Sequence, residues 1–288
     1  MDILPQLIVN SIIAGSIYTM VALGFNLIYG TVKFFDLGYG ALTAVGGYSV
    51  FFFYKTLGLN LYLSIAIGIV LTAIIGFLIY RLVYAPLRTR KSSSMVLLVG
   101  SLGAFTAVQA LIAILFSSQF QTLSRNAGAG RTFDLFGGII TDVQLVILAC
   151  AFVIMAAIAI MLKATLFGKA IKAVGDDEEV SKIVGINTQK IIGLVFIIGS
   201  GIAGLAGMLV GFDTGIEPTM GMSLLLKGVI ASIIGGIGNV YGSVLGGFFL
   251  SFIENFGIWK ISGEWKDAIA FGVLIIFLLF RPQGILRK

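Results

Sequence analysis

The residues able to do chemistry gather in one polar stretch, roughly 163–190, which reads KATLFGKAIKAVGDDEEVSKIVGINTQK. Its first half, GKAIKAVG, is basic and helical in pattern. The second, DDEEVSKIVGI, reads as another short helix: Asp176 and Asp177 fall in its first turn, where acidic side chains favour the helix dipole. Val180, Ile183 and Val184 share one face, and Gly185 follows as the expected C-cap. A short amphipathic helix of this kind is a docking element, because a merely solvated loop helix would leave its Val and Ile unexplained. Elsewhere, ionisable groups in apolar surroundings are few. Lys227 and Glu254 are costly there and so are functional candidates by default. Both are expected near helix ends, with their heads snorkelling toward water.

Other chemistry is excluded by what is missing. With no histidine, the chain has no imidazole metal site and no His-based catalysis. No phosphate-binding glycine loop of the GxxxxGK[ST] type, GxSxG elbow or CxxC pair occurs. The single cysteine, Cys150, lies in an apolar segment and reads as a packing residue. Any energised work therefore draws on energy supplied from outside this chain. A membrane-embedded enzyme would need clustered nucleophiles, ligands or acid–base pairs, and none is visible.

The elements that must position these residues are membrane helices. Of the 288 residues, 58% are hydrophobic and 11% charged, against about 25% charged in soluble domains. Apolar runs recur at lengths able to cross a core roughly 30 Å thick. A run such as 61–80, LYLSIAIGIVLTAIIGFLIY, is apolar on every side and lacks the alternation of a barrel strand. The fold class expected is all-α: a polytopic integral membrane bundle with about eight or nine spans. These are placed at 7–30, 35–54, 61–83, 94–116, 142–162, 190–211, 222–238, 240–258 and 267–281. The whole chain, 1–288, is read as a single transmembrane domain.

The net charge of +6 reads as a topology signal rather than a nucleic-acid patch. Twelve of the nineteen Lys and Arg fall in three clusters assigned to the cytoplasm. These are Arg81, Arg88, Arg90 and Lys91; Lys163, Lys169, Lys172, Lys182 and Lys190; and Arg281, Arg287 and Lys288. Asp2, Asp134, Asp142, Asp213, Glu217, Asp267 and the Arg125–Arg131 loop then face the other side, and nine crossings put the N-terminus there too. The opening MDILPQ has no basic n-region and is not read as a cleavable signal peptide.

Two glycine patterns refine the bundle. GGIGNVYG at 235–242 joins two short apolar stretches, as either a discontinuous or re-entrant helix or a tight hairpin at the membrane face; the re-entrant case lowers the count to eight. Gly199, Ala203, Gly207 and Gly211 form a stripe at four-residue spacing, and Gly242 and Gly246 begin another. Small residues so spaced let membrane helices approach closely.

The stretch 163–190 resembles the coupling segment of ABC importer permeases. It is similar to a degenerate EAA motif, in which an acidic residue, a small residue and a glycine recur, here Glu178 or Asp177, Ser181 and Gly185. More narrowly, the chain resembles the LivH-type permeases of branched-chain amino acid ABC transporters. The resemblance is carried by NSIIAGSIYTMVALGFNLIYG at 10–30, FGKAIKAVGDDEEVSKIVGIN at 167–187, IASIIGGIGNVYGSVLGG at 230–247 and RPQGIL at 281–286. In RPQGIL, Arg281 marks the inner face and Pro282 stops the last helix. One departure stands out. Where the family carries Asn-Phe-Ala-His-Gly-Glu, this chain reads Asp36-Leu37-Gly38-Tyr39-Gly40-Ala41.

The resemblance implies a multi-pass permease of a bacterial or archaeal plasma or inner membrane. It implies half of a path for branched-chain or other neutral amino acids, shared with a homologous second permease. Two ATPase subunits would dock on the cytoplasmic loop, and an extracytoplasmic binding protein would deliver substrate. The chain would bind no cofactor, ATP being used by the partners. The coupling residues implied are Gly168, Lys169, Asp176, Asp177, Glu178, Ser181, Gly185 and Ile186; those bordering the path are Asn26, Asp36, Tyr39 and Asn239. Cargo such as urea or a short amide, and a secondary carrier coupled through Asp36 or Glu254, are the alternatives.

Overall fold

In water a helix turns its apolar side inward, but a helix surrounded by lipid has no reason to do so. In this computed structural model, which describes residues 3–123, 132–135, 137–281 and 283–286, α3 (Leu61–Ile79) buries Ser64, Gly68, Thr72 and Gly76. Val70, Ile74 and Leu78 on the same helix are exposed. Its inward stripe is small and hydroxylated at four-residue spacing, and its outward surface is aliphatic, the pattern of a lipid-facing span. The buried hydroxyls return hydrogen bonds to their own helix, Ser64 Oγ to Asn60 O at 2.9 Å and Thr72 Oγ1 to Gly68 O at 2.8 Å. Neither of these two hydroxyls is thereby left bare in an apolar setting.

Among the described residues, five helices are long and apolar enough to cross a bilayer. They are α1 (Ile3–Val32), α3 with its continuation to Thr89, α5 (Ser94–Phe116), α6 (Asp142–Ala164) and α9 (Thr188–Asp213). A sixth is the broken pair α10 (Met220–Gly235) and α11 (Val240–Ile258), counted as one. The second half is bent by 115° from the first, a sharp elbow beyond which the two helices meet backbone to backbone: a Cβ on Gly246 would lie 1.9 Å from Ala231 O. The polytopic all-α reading holds, with one small addition, a hairpin of β1 (Thr132–Leu135) and β2 (Gly138–Thr141). The longer count of eight or nine depends on shorter elements. One is α2 (Gly38–Val50), 13 residues long and buried throughout. Another is α12 (Lys266–Phe280), 15 residues, which at 1.5 Å per residue extends about 22 Å. Asp2, the Arg125–Arg131 loop, Pro282, Arg287 and Lys288 lie outside the described residues.

The chain divides into two compact units. The first comprises 1–26, 126–156 and 226–288; the second comprises 27–125 and 157–225. In the first, small residues and hydroxyls join α1 to α11. Ser251 Oγ donates to Ser11 O at 2.7 Å, and a Cβ on Gly247 would lie 2.4 Å from Thr19 Oγ1. Beyond the elbow, the chain end returns to α10: Ile285 N–H reaches Ile234 O at 2.8 Å and Leu286 N–H reaches Gly235 O at 3.1 Å. Those carbonyls at the helix end have no acceptor role inside the helix, so this return satisfies them.

In the second unit, α2 is the central helix, packed against α3, α5 and α9. Its contact with α9 is backbone to backbone. A Cβ on Gly46 would lie 2.2 Å from Gly204 O, and one on Gly207 would lie 1.8 Å from Thr43 O. The α2 helix continues as a π-helical turn, Phe51–Thr56, and α3 passes through another, Tyr80–Tyr84, into α4 (Ala85–Thr89). Such turns widen the helix and mark functional positions more often than ordinary ones. The second of them carries Tyr84 toward the site described next.

Candidate functional site

The polar loop folds as two helices, α7 (Leu166–Asp176) and α8 (Glu178–Ile183). Thr165 caps α7, its Oγ1 accepting the N–H of Gly168 at 2.9 Å. Gly168 and Gly175 are both buried where the backbone passes close: a Cβ on Gly168 would meet Met161 O at 2.2 Å, and one on Gly175 would meet Gly30 O at 2.3 Å. The second contact seats the end of α7 on the last turns of α1. Lys169 is exposed.

The start of α8 lies two residues beyond the sequence expectation. Asp177 is the N-cap, its Oδ1 accepting the N–H groups of Glu179 and Val180 at 2.8 and 3.0 Å. The first turn belongs to Glu178 and Glu179, while Asp176 ends the preceding helix. Only a residue just outside the helix can aim its carboxylate at those free N–H groups. The end of α8 is as expected. Gly185 has φ +88°; its N–H bonds Lys182 O at 3.1 Å, and Ile186 N–H bonds Ser181 O at 2.9 Å. This is a Schellman closure, which favours glycine at the left-handed residue. Nothing lies within 4 Å of a Cβ built on Gly185, so the requirement there is conformational. Gly185→Ala is expected to loosen α8 by about 1 kcal/mol, read as faster amide exchange over 178–186 with the membrane helices unchanged.

Between its caps, α8 presents two faces. Ser181 is buried, whereas Val180, Ile183 and Val184 are 53, 84 and 68% exposed. On the other face Glu178 is held by three groups. Arg88 Nη2 donates to its Oε2, Lys182 Nζ lies 3.0 Å from Oε1, and Thr188 Oγ1 donates to Oε1 at 3.3 Å. Arg88 also donates through Nη1 to Val32 O at 3.2 Å. One turn before it, Tyr84 donates to Asp36 Oδ1 at 2.5 Å. From one short stretch of chain, Arg88 thus bonds both α8 and the last residue of α1, and Tyr84 bonds the residue that precedes the start of α2 by two positions.

Burial alone would raise the Glu178 carboxyl, but the hydrogen bond from Lys182 and the charges of Arg88 and Lys182 outweigh it and hold the group below its ordinary 4.5. A carboxylate with a depressed folded-state value contributes stability above the unfolded value and loses it as pH falls through the folded one. Protection of the α8 amides is therefore expected to be flat from neutral pH down to about 5 and to fall only below the ordinary carboxylate range, as read by hydrogen exchange corrected for intrinsic rate.

The four residues expected beside the path fall into two pairs. Asn26 is buried; its Nδ2 donates to Ser243 Oγ and its Oδ1 accepts the N–H of Gly238 at 3.0 Å. Asn239 caps α11 through Oδ1, accepting from Tyr241 and Gly242 at 3.0 and 3.3 Å. Asp36 and Tyr39, both buried, sit at the start of α2, where Asp36 accepts from the backbone of Tyr39 and Gly38. Each pair holds a helix break in place.

Glu254 does not snorkel. Its side chain is fully buried, and Tyr18 Oη donates to its Oε2 at 2.6 Å. Lys227 Nζ lies 3.6 Å from the same oxygen and 3.1 Å from Asp267 Oδ1, and Lys266 Nζ lies 3.9 Å from Glu254 Oε2. Two cations and two anions thus cancel around one tyrosine hydroxyl. Sequence reading singled out Lys227 and Glu254 but missed Tyr18, and it took Arg88 only as a topology signal. A tyrosine within an apolar helix carries no signal of the carboxylate it faces.

These elements define a polytopic helical membrane protein whose polar loop folds as two short helices. The chain matches the family model described as the branched-chain amino acid transport system permease component over residues 7–278, and it belongs to that family. Among its relatives, the permease protein BraD of a high-affinity branched-chain amino acid transport system in Pseudomonas aeruginosa is 30% identical, the match covering 98% of this chain and 95% of that one. The LivH permease protein of Escherichia coli shows the same identity and coverage. A probable LivH permease of Methanocaldococcus jannaschii is 26% identical over 96% of this chain and 90% of the relative. Among solved structures, PsaBC from Streptococcus pneumoniae in complex with Fab superposes with a TM-score of 0.51 at 13% identity, covering 98% of this chain and 93% of that chain. That likeness concerns the fold alone.

Proposed function

We propose that this chain is one permease subunit of an ATP-binding cassette importer for branched-chain or other neutral amino acids. It works in a bacterial or archaeal plasma or inner membrane beside a homologous second permease. Two ATPase subunits dock on the loop 163–190, and an extracytoplasmic binding protein delivers substrate. The chain binds no cofactor and hydrolyses no ATP itself. The observation that carries this reading is α8: an apolar face left exposed, Val180, Ile183 and Val184, on a helix capped at both ends and tied through Glu178 and Arg88 to a membrane-spanning segment. An exposed apolar face on so rigidly held an element suits a partner's groove. Gly168, Lys169, Asp176, Asp177, Ser181, Gly185 and Ile186 shape that element, and Glu178 passes its motion on. Asn26, Asp36, Tyr39 and Asn239 fix the helix breaks that border the path.

The test is reconstitution of the chain with its second permease, ATPases and binding protein in proteoliposomes. ATP-dependent uptake of leucine, isoleucine or valine is expected, with no uptake when the ATPases are left out. Uptake by this chain alone would sink the proposal, and urea competing with leucine would redirect the cargo. Within the same system, Glu178→Lys turns an attraction to Arg88 and Lys182 into repulsion. It is expected to lower uptake about ten-fold, equivalent to roughly 1.4 kcal/mol, while ATP hydrolysis continues and membrane insertion is unchanged.

A further inference from the structure

Beside α8, on the side turned away from Val180, Ile183 and Val184, lies a cavity of about 320 Å³. Its floor is apolar: Tyr80, Leu97 and Ile192 are 3, 5 and 1% exposed. Its rim is charged. Arg88, Glu178 and Lys182 engage one another there, but Lys91 and Glu179, which also line it, make no ion pair among the described residues. A volume of this size sits at the small end of small-molecule sites, which combine apolar walls with a few convergent polar groups. One free cation and one free anion on a single rim ask for a ligand carrying both charges. The floor asks for an aliphatic group between them.

We propose that this cavity binds a small α-amino acid with an apolar side chain from the cytoplasmic side. Its carboxylate pairs with Lys91, its ammonium with Glu179, and its side chain rests on Leu97 and Ile192. This rests on the transport function proposed above, since the ligand then belongs to the class being imported. Lys91 lies just past α4, and Glu179 is on α8. A ligand bonded to both bridges the docking helix to the membrane-spanning segment beside it and opposes any separation of the two. Accumulated product therefore slows its own import at a site distinct from the path.

The experiment uses the full transporter in proteoliposomes with the cytoplasmic face and ATP inside. The lumen is preloaded with valine, and initial uptake of labelled leucine is read. With valine held at about ten times its dissociation constant, the unoccupied fraction falls roughly ten-fold, and the uptake rate of the wild type is expected to fall in proportion. The Lys91→Gln, Glu179→Gln double variant is expected to lose most of that slowing, judged against its own rate with an empty lumen. Isovalerate and isobutylamine, each lacking one of the two charges, are expected to leave the wild type unaffected. Active wild-type uptake that ignores luminal valine overturns this inference and leaves the proposed function standing. So does a double variant slowed as much as the wild type, which would place the product elsewhere. Slowing by inorganic phosphate that depends on Lys91 alone overturns it in favour of an anion site. Wild type that takes up nothing in any condition is instead a failure of the transport reading.

Discussion

Replacing Lys227 with methionine is expected to destabilise the protein by about 3–5 kcal/mol, the range found when one partner of a buried ion pair is removed. Glu254 is left fully buried with Tyr18 as its hydrogen-bond donor, and the nearest cation, Lys266, is 3.9 Å away. Its Oε1 already has no partner among the described residues, so no second contact offsets the loss. Asp267 loses its partner too, but it is 66% exposed, and water compensates it. The asymmetry predicts the rescue. Lys227→Met combined with Glu254→Gln removes both charges and is expected to recover most of the stability, whereas Lys227→Met with Asp267→Asn is not. Unfolding of the purified protein in mild detergent reads the difference. If all three variants unfold alike, the charges around Glu254 are not coupled as the geometry requires.

How much of this was legible beforehand depends on the range of the interaction. The span expected at 94–116 is α5, Ser94–Phe116, with the same ends, because Ser93 can cap it and nothing distant interferes with the pattern. The C-cap of α8 was legible for the same reason, since Gly185 acts on backbone within four residues of itself, whereas Asp177 was read as part of the first turn and is instead the N-cap. What escaped was contact across the sequence. Arg88 and Glu178 are separated by 90 positions and Tyr18 and Glu254 by 236, and no periodicity encodes such pairings. The snorkelling expected of Glu254 failed because hydropathy counts distance along a helix and knows nothing of a tyrosine on another. For α2 the lesson is similar. Its apolar composition was readable at 35–54, but an apolar helix reads the same whether lipid or protein surrounds it, and only packing shows α2 buried throughout.

Glycine spacing was the one long-range signal that the sequence did carry, and it supports the second large prediction. Gly207→Leu is expected to prevent the second unit from folding, or to destabilise it by more than the roughly 1–3 kcal/mol typical of overpacking. Overpacking is usually relieved when a side chain rotates away. Here the obstacle is backbone: a Cβ at Gly207 would sit 1.8 Å from Thr43 O and 2.6 Å from its carbonyl carbon. Accommodating it means moving α9 off α2, and the same interface is closed one turn away by Gly46 against the backbone of Gly204. In lipid, helix association depends on such close approach, since burying apolar surface gives no advantage over leaving it in acyl chains. Separating the pair by even a methyl group therefore forfeits most of what holds it. Gly201 on the same α9 helix supplies the control. Its nearest neighbour would be Ile69 Cγ2 at 3.6 Å, an ordinary contact, so Gly201→Ala is expected to be neutral or slightly stabilising through helix propensity. Yield of monodisperse protein and the detergent unfolding midpoint should separate the two variants widely. Equal behaviour would mean that α2 and α9 do not meet through their glycines.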